Sequence, residues 1–135
     1  MRGFRVWMDY WKRYSFDAEL YPDGSLYAMF EDDDGVTHHE NTDLVLEFKT
    51  GLKDKNGKEI YEGDIISEEI DTGMTWLDGK FIYVVKWSED FYSFIVQTIR
   101  MPNGEFFHDE LYQLNMSREV IGNIHENGDL LKEEE

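Results

Sequence analysis

The sequence predicts an all-β protein: a small, strongly bent barrel of SH3-like character with additional N-terminal strands and at most one short helix. Three observations predict it. Short apolar and β-branched runs recur between turn signals, the pattern of a sandwich or barrel. No stretch sustains the apolar period of an amphipathic helix. In the segment from Thr50 to Ile66, Asn56-Gly57 is a strong hairpin signal, because both residues accept the positive φ of tight turns.

Taken in order, Phe4 to Asp9 is aromatic and β-branched and reads as a strand, followed by a turn through Tyr10, Trp11 and Tyr14. Pro22-Asp23-Gly24-Ser25 is a turn, with proline fixing one φ and glycine supplying a positive one. Ser25 to Glu31 is a strand, and Asp32-Asp33-Asp34-Gly35 is the next turn. Thr42 to Lys49 places Leu44, Leu46 and Phe48 in alternation, the mark of a half-buried strand. The segment from Thr50 to Ile66 reads as a turn at Asn56-Gly57, a short strand, a second turn at Gly63-Asp64 and the start of another strand. Ile65 to Ile70 follows as a strand interrupted by Ser67-Glu68-Glu69.

Trp76 lies in a glycine-flanked loop. Lys80 to Trp87 is nearly continuous in apolar residues, which predicts a central strand buried on both faces. Ser88-Glu89-Asp90 turns it into a partner strand over Phe91 to Ile99. Pro102-Asn103-Gly104 is a turn, and Phe106 to Leu114 is the one place for a short helix, with Asp109 as its cap. Glu119 to Ile124 closes the sheet, Asn127-Gly128-Asp129 turns, and Lys132 to Glu135 is a frayed tail. The expected organisation is a single domain over 1–135. Within it, 1–49 supply the N-terminal strands packed on or extending the barrel, 50–127 the barrel core, and 128–135 the tail.

A chain of 135 residues with 41% hydrophobic and 16% aromatic content can bury a core despite its charge. It has no cysteine, which excludes disulfides and thiolate metal sites. No apolar run suits a signal peptide or a membrane span, so the expected location is the cytoplasm. Thirty acidic against thirteen basic residues give a net charge of −17, which opposes direct binding to nucleic acid. Residues 1 to 14 go the other way, with Arg2, Arg5, Lys12 and Arg13 against Asp9 alone.

Four blocks carry a family resemblance. The segment Thr50 to Ile66, the opening Phe4-Arg5-Val6-Trp7, the central Val84-Val85-Lys86-Trp87 and the closing Val120-Ile121-Gly122-Asn123-Ile124-His125-Glu126-Asn127 resemble, in order, the pattern of the YopX family. These are small proteins of bacteriophages and prophages. Gly128 stands where that pattern has a proline. The resemblance implies a phage or prophage role but no assigned activity.

Known chemical motifs do not fit. Gly51 to Lys58 and Gly73 to Lys80 both end in Gly-Lys, yet each has five residues between its glycines where a phosphate loop has four. Glu59 and Phe81 stand where that loop has Ser or Thr. Asp32-x-Asp34 and Asp54-x-Asn56 begin like calcium loops but lack the sixth-position glycine and the twelfth-position glutamate. His38 and His39 could join Glu40, Asp43, His108 or His125 at a metal, but adjacent strand residues point to opposite faces. There is no nucleophile elbow, and a carboxylate pair depends on spacing that only the fold sets. The expectation is no catalytic residue, no cofactor and no metal.

Aromatic residues are the better lead. Trp7, Trp11, Trp76 and Trp87 with eight tyrosines exceed what a core of this size needs, and Trp and Tyr anchor protein interfaces. Trp7 and Trp87 are expected in the core, and Trp76 at the surface. The expected interaction surface is Trp76 with Tyr61, Glu62 and Asp64. The leading functional expectation is a non-enzymatic protein–protein interaction module whose partner is another protein or a second copy, with no membrane contact. Two alternatives are an acidic decoy of a nucleic-acid-binding host protein and a small hydrolase or ligand-binding protein.

Overall fold

The computed structural model describes residues 3–70, 73, 79–100, 111–113 and 118–131. Their strands are β1 (Phe4–Met8), β2 (Arg13–Ser15), β3 (Asp17–Leu20), β4 (Leu26–Glu31), β5 (Thr37–Glu40) and β6 (Leu44–Lys53), then β7 (Glu59–Tyr61), β8 (Asp64–Ile70), β9 (Gly79–Ser88), β10 (Ser93–Arg100), β11 (Leu111–Gln113) and β12 (Glu119–Asn123). Among the described residues a single 3-10 turn, Gly128–Leu131, is the only helix. The fold is all-β, with a curled sheet forming a half-barrel.

The chain divides into two compact units, 1–49 and 50–135. In the first, β1 lies between β2 and β6, and β4 lies between β3 and β5, all antiparallel. Alternation on β1 sends Val6 and Met8 to a core shared with Ala18 and Ala28, and Leu44 and Leu46 of β6 pack against it. Arg5 and Trp7 point the other way and are also buried, Arg5 bonding Glu47 at 2.8 Å. β6 does not stop at Lys49, where the expected strand ends; it runs on to Lys53 through Gly51, which takes a φ of 85°.

The second unit is built on a five-stranded antiparallel sheet of order β11-β10-β9-β8-β12. Both faces of it are covered. On one, Ile66, Phe81, Tyr83, Val85 and Val96 pack with Ile60. On the other, Ile65, Ile82, Val84 and Ile99 meet Ile121, Leu130 and Leu131. This is why β9 reads as a continuous apolar run: successive residues enter different cores. Bulges between Thr98 and Arg100 and between Val120 and Gly122 shift the register, and bulges bend strands.

The segment between β6 and β8 is fastened to this sheet through its turns. Asp54 is 6% exposed, and its carboxylate accepts the N–H groups of Asn56, Lys58 and Val120 at 2.9, 2.9 and 3.0 Å. Burial pushes the Asp54 carboxyl up, but these three donors and the nearby Lys58 charge outweigh it and hold it below its ordinary value. Lys55 N–H donates to the Arg118 carbonyl at 2.9 Å. At the other end, Gly63 donates to the Val85 carbonyl and accepts from Ile124 N–H, at 2.9 and 3.0 Å. Asp64 Oδ2 accepts Tyr61 N–H at 2.8 Å and closes that turn.

Asn56-Gly57 is a turn, but not the two-residue kind. Asp54 N–H bonds the Lys58 carbonyl and Gly57 N–H bonds the Asp54 carbonyl, leaving a three-residue loop with Gly57 at φ 83°. The same bonding closes Tyr21 to Ser25 and Asp32 to Val36. The β1–β2 and β9–β10 hairpins instead use four-residue loops whose last residues, Lys12 and Tyr92, take φ values of 52° and 49°.

Several expectations need correction. β2, β3 and β5 fall where the sequence predicts a turn or no element, because their sequences are short, polar or unbranched and pairing with β1 and β4 decides them. β8 is unbroken through Ser67-Glu68-Glu69, since Ser67 is buried and Glu68 accepts the Tyr83 hydroxyl at 3.1 Å. The short helix is overturned at Leu111–Gln113, which pairs with β10 over Ile95 to Gln97. Its remainder, 106–110 and Leu114, lies outside the described residues, as does the Pro102-Asn103-Gly104 turn.

The closing block is a capped turn. Asn123 Oδ1 accepts the N–H groups of His125 and Glu126, and Asn127 Oδ1 accepts Asn123 N–H at 3.1 Å. Asn127 lies so close to Gly122 that a Cβ there would sit 2.4 to 2.9 Å from its side-chain atoms. Gly128, by contrast, opens the 3-10 turn with nothing within 4 Å of an added Cβ.

These geometries set four expected outcomes in urea unfolding. Asp54→Ala should cost about 2–4 kcal/mol at neutral pH, since it strands three N–H groups. Because the folded pKa of Asp54 lies below its unfolded value, its contribution is present above the unfolded pKa and is lost as pH falls through the folded one. Asp54→Asn should therefore flatten the acid limb of stability against pH, and an unchanged limb would refute the assignment. Gly122→Ala should cost about 1–3 kcal/mol while Gly128→Pro is tolerated, as proline suits the first residue of a helical turn. Tyr92→Gly should gain about 0.5–1 kcal/mol by relieving a left-handed backbone, and a loss would show that the Tyr92 ring supports the turn.

Candidate interaction surface

The β9–β10 hairpin gathers aromatic residues at its tip. β9 is paired with β8 as far as Val84, and Gly63 bonds the carbonyl of Val85. Beyond that point, among the described residues, Lys86 to Ser88 pair only with β10. Trp87 and Phe94 face each other across this ribbon, edge to face at 5.1 Å. Trp87 is 45% exposed, Phe91 62% and Tyr92 82%. The Ser88 hydroxyl accepts Phe91 N–H at 3.3 Å, so the loop is held by a side chain of its own strand. A pre-ordered aromatic tip loses little entropy when a partner covers it.

Trp87 thus corrects the expectation that it lies in the core. It sits past the last β8 pairing, where the sheet no longer covers it. Trp7 is in the core, at 2% exposure. The sequence signal for the tip was present: Trp87, Phe91, Tyr92 and Phe94 crowd around the turn Ser88-Glu89-Asp90, and a turn cannot bury four rings.

A second aromatic group packs ring on ring, although Trp11 itself remains 38% exposed. Trp11 packs against Phe30 and His38 at 5.1 and 4.8 Å, and His38 stacks on Phe30 at 4.9 Å. The Arg13 guanidinium lies over the Phe30 ring at 4.3 Å. His38 Nε2 meets Asp32 Oδ2 at 2.7 Å, and that bond, with the N–H groups of Val36 and Asp34, holds the Asp32 carboxyl below its ordinary value. Glu40 is held low first by the Thr42 hydroxyl and N–H, and also by the Trp11 side chain. The rings and charges of this cluster satisfy one another.

The other expected site residues are placed as follows. Tyr61 and Asp64 are 8% and 2% exposed and belong to the turn that Asp64 closes; Glu62 is half-buried in the same turn. Trp76 lies outside the described residues, so these four are not brought together on the described surface. Among the described residues the basic N-terminal segment does not form a patch either. Arg5 is buried on Glu47, and Lys12 Nζ bonds Asp9 at 2.8 Å. His39 meets the Tyr27 hydroxyl at 2.5 Å on the face opposite to His38, as alternation requires. Among the described residues no group of three or more His, Asp or Glu is arranged to hold a metal, and no helix is long and apolar enough to cross a membrane.

The comparisons agree with this fold. The crystal structure of protein EF1440 from Enterococcus faecalis is similar at 25% identity and a TM-score of 0.58, over 96% of this chain and 97% of that one. No curated protein matches the sequence. The family model described as YopX protein matches residues 3–132, nearly the whole chain, and the chain therefore belongs to the YopX family.

Proposed function

We propose that this chain is a phage- or prophage-type protein–protein interaction module without catalytic activity, acting in the cytoplasm of a bacterial host cell, and that the β9–β10 hairpin tip is its binding element. The observation that carries the reading is the exposure of Trp87, Phe91 and Tyr92 on one pre-ordered hairpin. Aromatic anchors of this kind dominate interface energies. A hydrolase or ligand-binding reading needs carboxylates converging on a substrate. The buried carboxylates described here serve the fold instead: Asp54 on three N–H groups, Asp64 on Tyr61, and Glu47 on Arg5 and Tyr14.

The test is capture from bacterial lysate by immobilised full-length protein, comparing wild type with a Trp87→Ser/Phe91→Ser/Tyr92→Ser variant whose fold is checked by thermal unfolding. Wild type should retain a protein that the variant retains at least about tenfold less, given that each anchor is worth roughly 1–2 kcal/mol or more. Equal retention by the two folded proteins would refute the hairpin as the binding element.

A further inference from the structure

The hairpin tip leaves its acidic residues to solvent, as the β4–β5 turn leaves Asp33 and Asp34, but at the tip they stand among exposed rings. In the β3–β4, β4–β5 and β6–β7 turns an aspartate is consumed by its own loop. Asp23 accepts from Ser25, Asp32 from Asp34 and Val36, and Asp54 from Asn56 and Lys58. In the β9–β10 turn the Ser88 hydroxyl does that work. Glu89 and Asp90 are exposed, and among the described residues neither forms a hydrogen bond or ion pair. Two outward carboxylates therefore stand between Trp87 and the pair Phe91 and Tyr92.

We infer that the occupant of this tip is a protein with a basic surface, presenting an apolar pocket for the aromatic rings and a rim of Lys or Arg for Glu89 and Asp90. The inference rests on the reading of the hairpin as the binding element. Charge selects among the candidate occupants. At a net −17, a second copy would bring like charge against like, and its tip would set carboxylate against carboxylate. A nucleic acid or an anionic membrane surface meets the same repulsion. A basic protein gains twice: the whole-chain field speeds encounter, and the two tip carboxylates fix register while the rings supply buried area. Surfaces of that charge are the ones that otherwise contact nucleic-acid phosphates, which makes the heparin-binding proteins of a bacterium the class to examine.

The probes are two fractions of bacterial lysate, the heparin-retained proteins and the heparin flow-through. Each is offered to immobilised wild type, to the Trp87→Ser/Phe91→Ser/Tyr92→Ser variant and to a Glu89→Lys/Asp90→Lys variant. Both variants are verified as folded by thermal unfolding. Hairpin-dependent capture is expected from the heparin-retained fraction. It should fall about tenfold between roughly 50 and 300 mM salt, and by a similar factor in the charge-reversal variant at the lower salt. Hairpin-dependent capture from the flow-through alone would overturn the basic partner and leave the interaction reading standing. So would capture that the charge reversal leaves unchanged. A salt-insensitive oligomer by light scattering, abolished in the aromatic variant, would overturn it in favour of a second copy. Capture from neither fraction, with a monomeric wild type, would overturn both readings.

Discussion

The structure of the second unit depends on one buried carboxylate. Asp54 accepts two hydrogen bonds from its own turn and one from Val120, across 66 positions of chain. A charge in that position is tolerable only because its acceptor capacity is filled by N–H donors. Its third bond defines where β12 begins, and the Lys55 bond to Arg118 lies beside it. Gly63 then defines where β12 ends, through Ile124. The segment that carries the family signature is therefore a clamp on the closing strand. Its residues are constrained by folding, and that accounts for a signature rich in turn residues and poor in chemistry.

A sheet buried on both faces has a consequence for function. β8, β9 and β10 alternate between two cores, so their side chains are committed to packing, and a void on either side would cost stability. Binding residues can then be supplied only where strands outrun the sheet or where loops leave it. β9 and β10 do so beyond Val85, and there the composition changes from aliphatic to aromatic and acidic. The change coincides with the last sheet pairing, so the exposed rings of this hairpin are gathered at one end of the sheet.

Much of this was legible in the sequence, and the limits have physical causes. The all-β class, the central strand and its hairpin partner, and the turns at Gly24, Gly35 and Gly57 follow from local apolar pattern and backbone requirement. β2, β3 and β5 were not legible, because Asp17-Ala18-Glu19-Leu20 or Thr37-His38-His39-Glu40 becomes a strand only beside β4. The role of Asp54 was hidden because its decisive partner is far away in sequence. Trp87 was misplaced for a related reason. Its strand reads as buried throughout, and only the register with β8 shows that coverage ends before it.

Tyr92 brings stability and binding into opposition. A four-residue hairpin loop asks its last residue for a left-handed backbone, and glycine or asparagine meets that demand at least cost. Lys12 occupies the equivalent place in the β1–β2 loop, so the conformation itself belongs to the turn and not to a special strain at the tip. What sets Tyr92 apart is that it is the most exposed large hydrophobic residue described, at 82%. Folding gains nothing from a tyrosine there, since the ring buries little and its backbone is disfavoured. A residue that weakens the fold without packing against it is the kind of residue that the proposed binding role of the hairpin calls for.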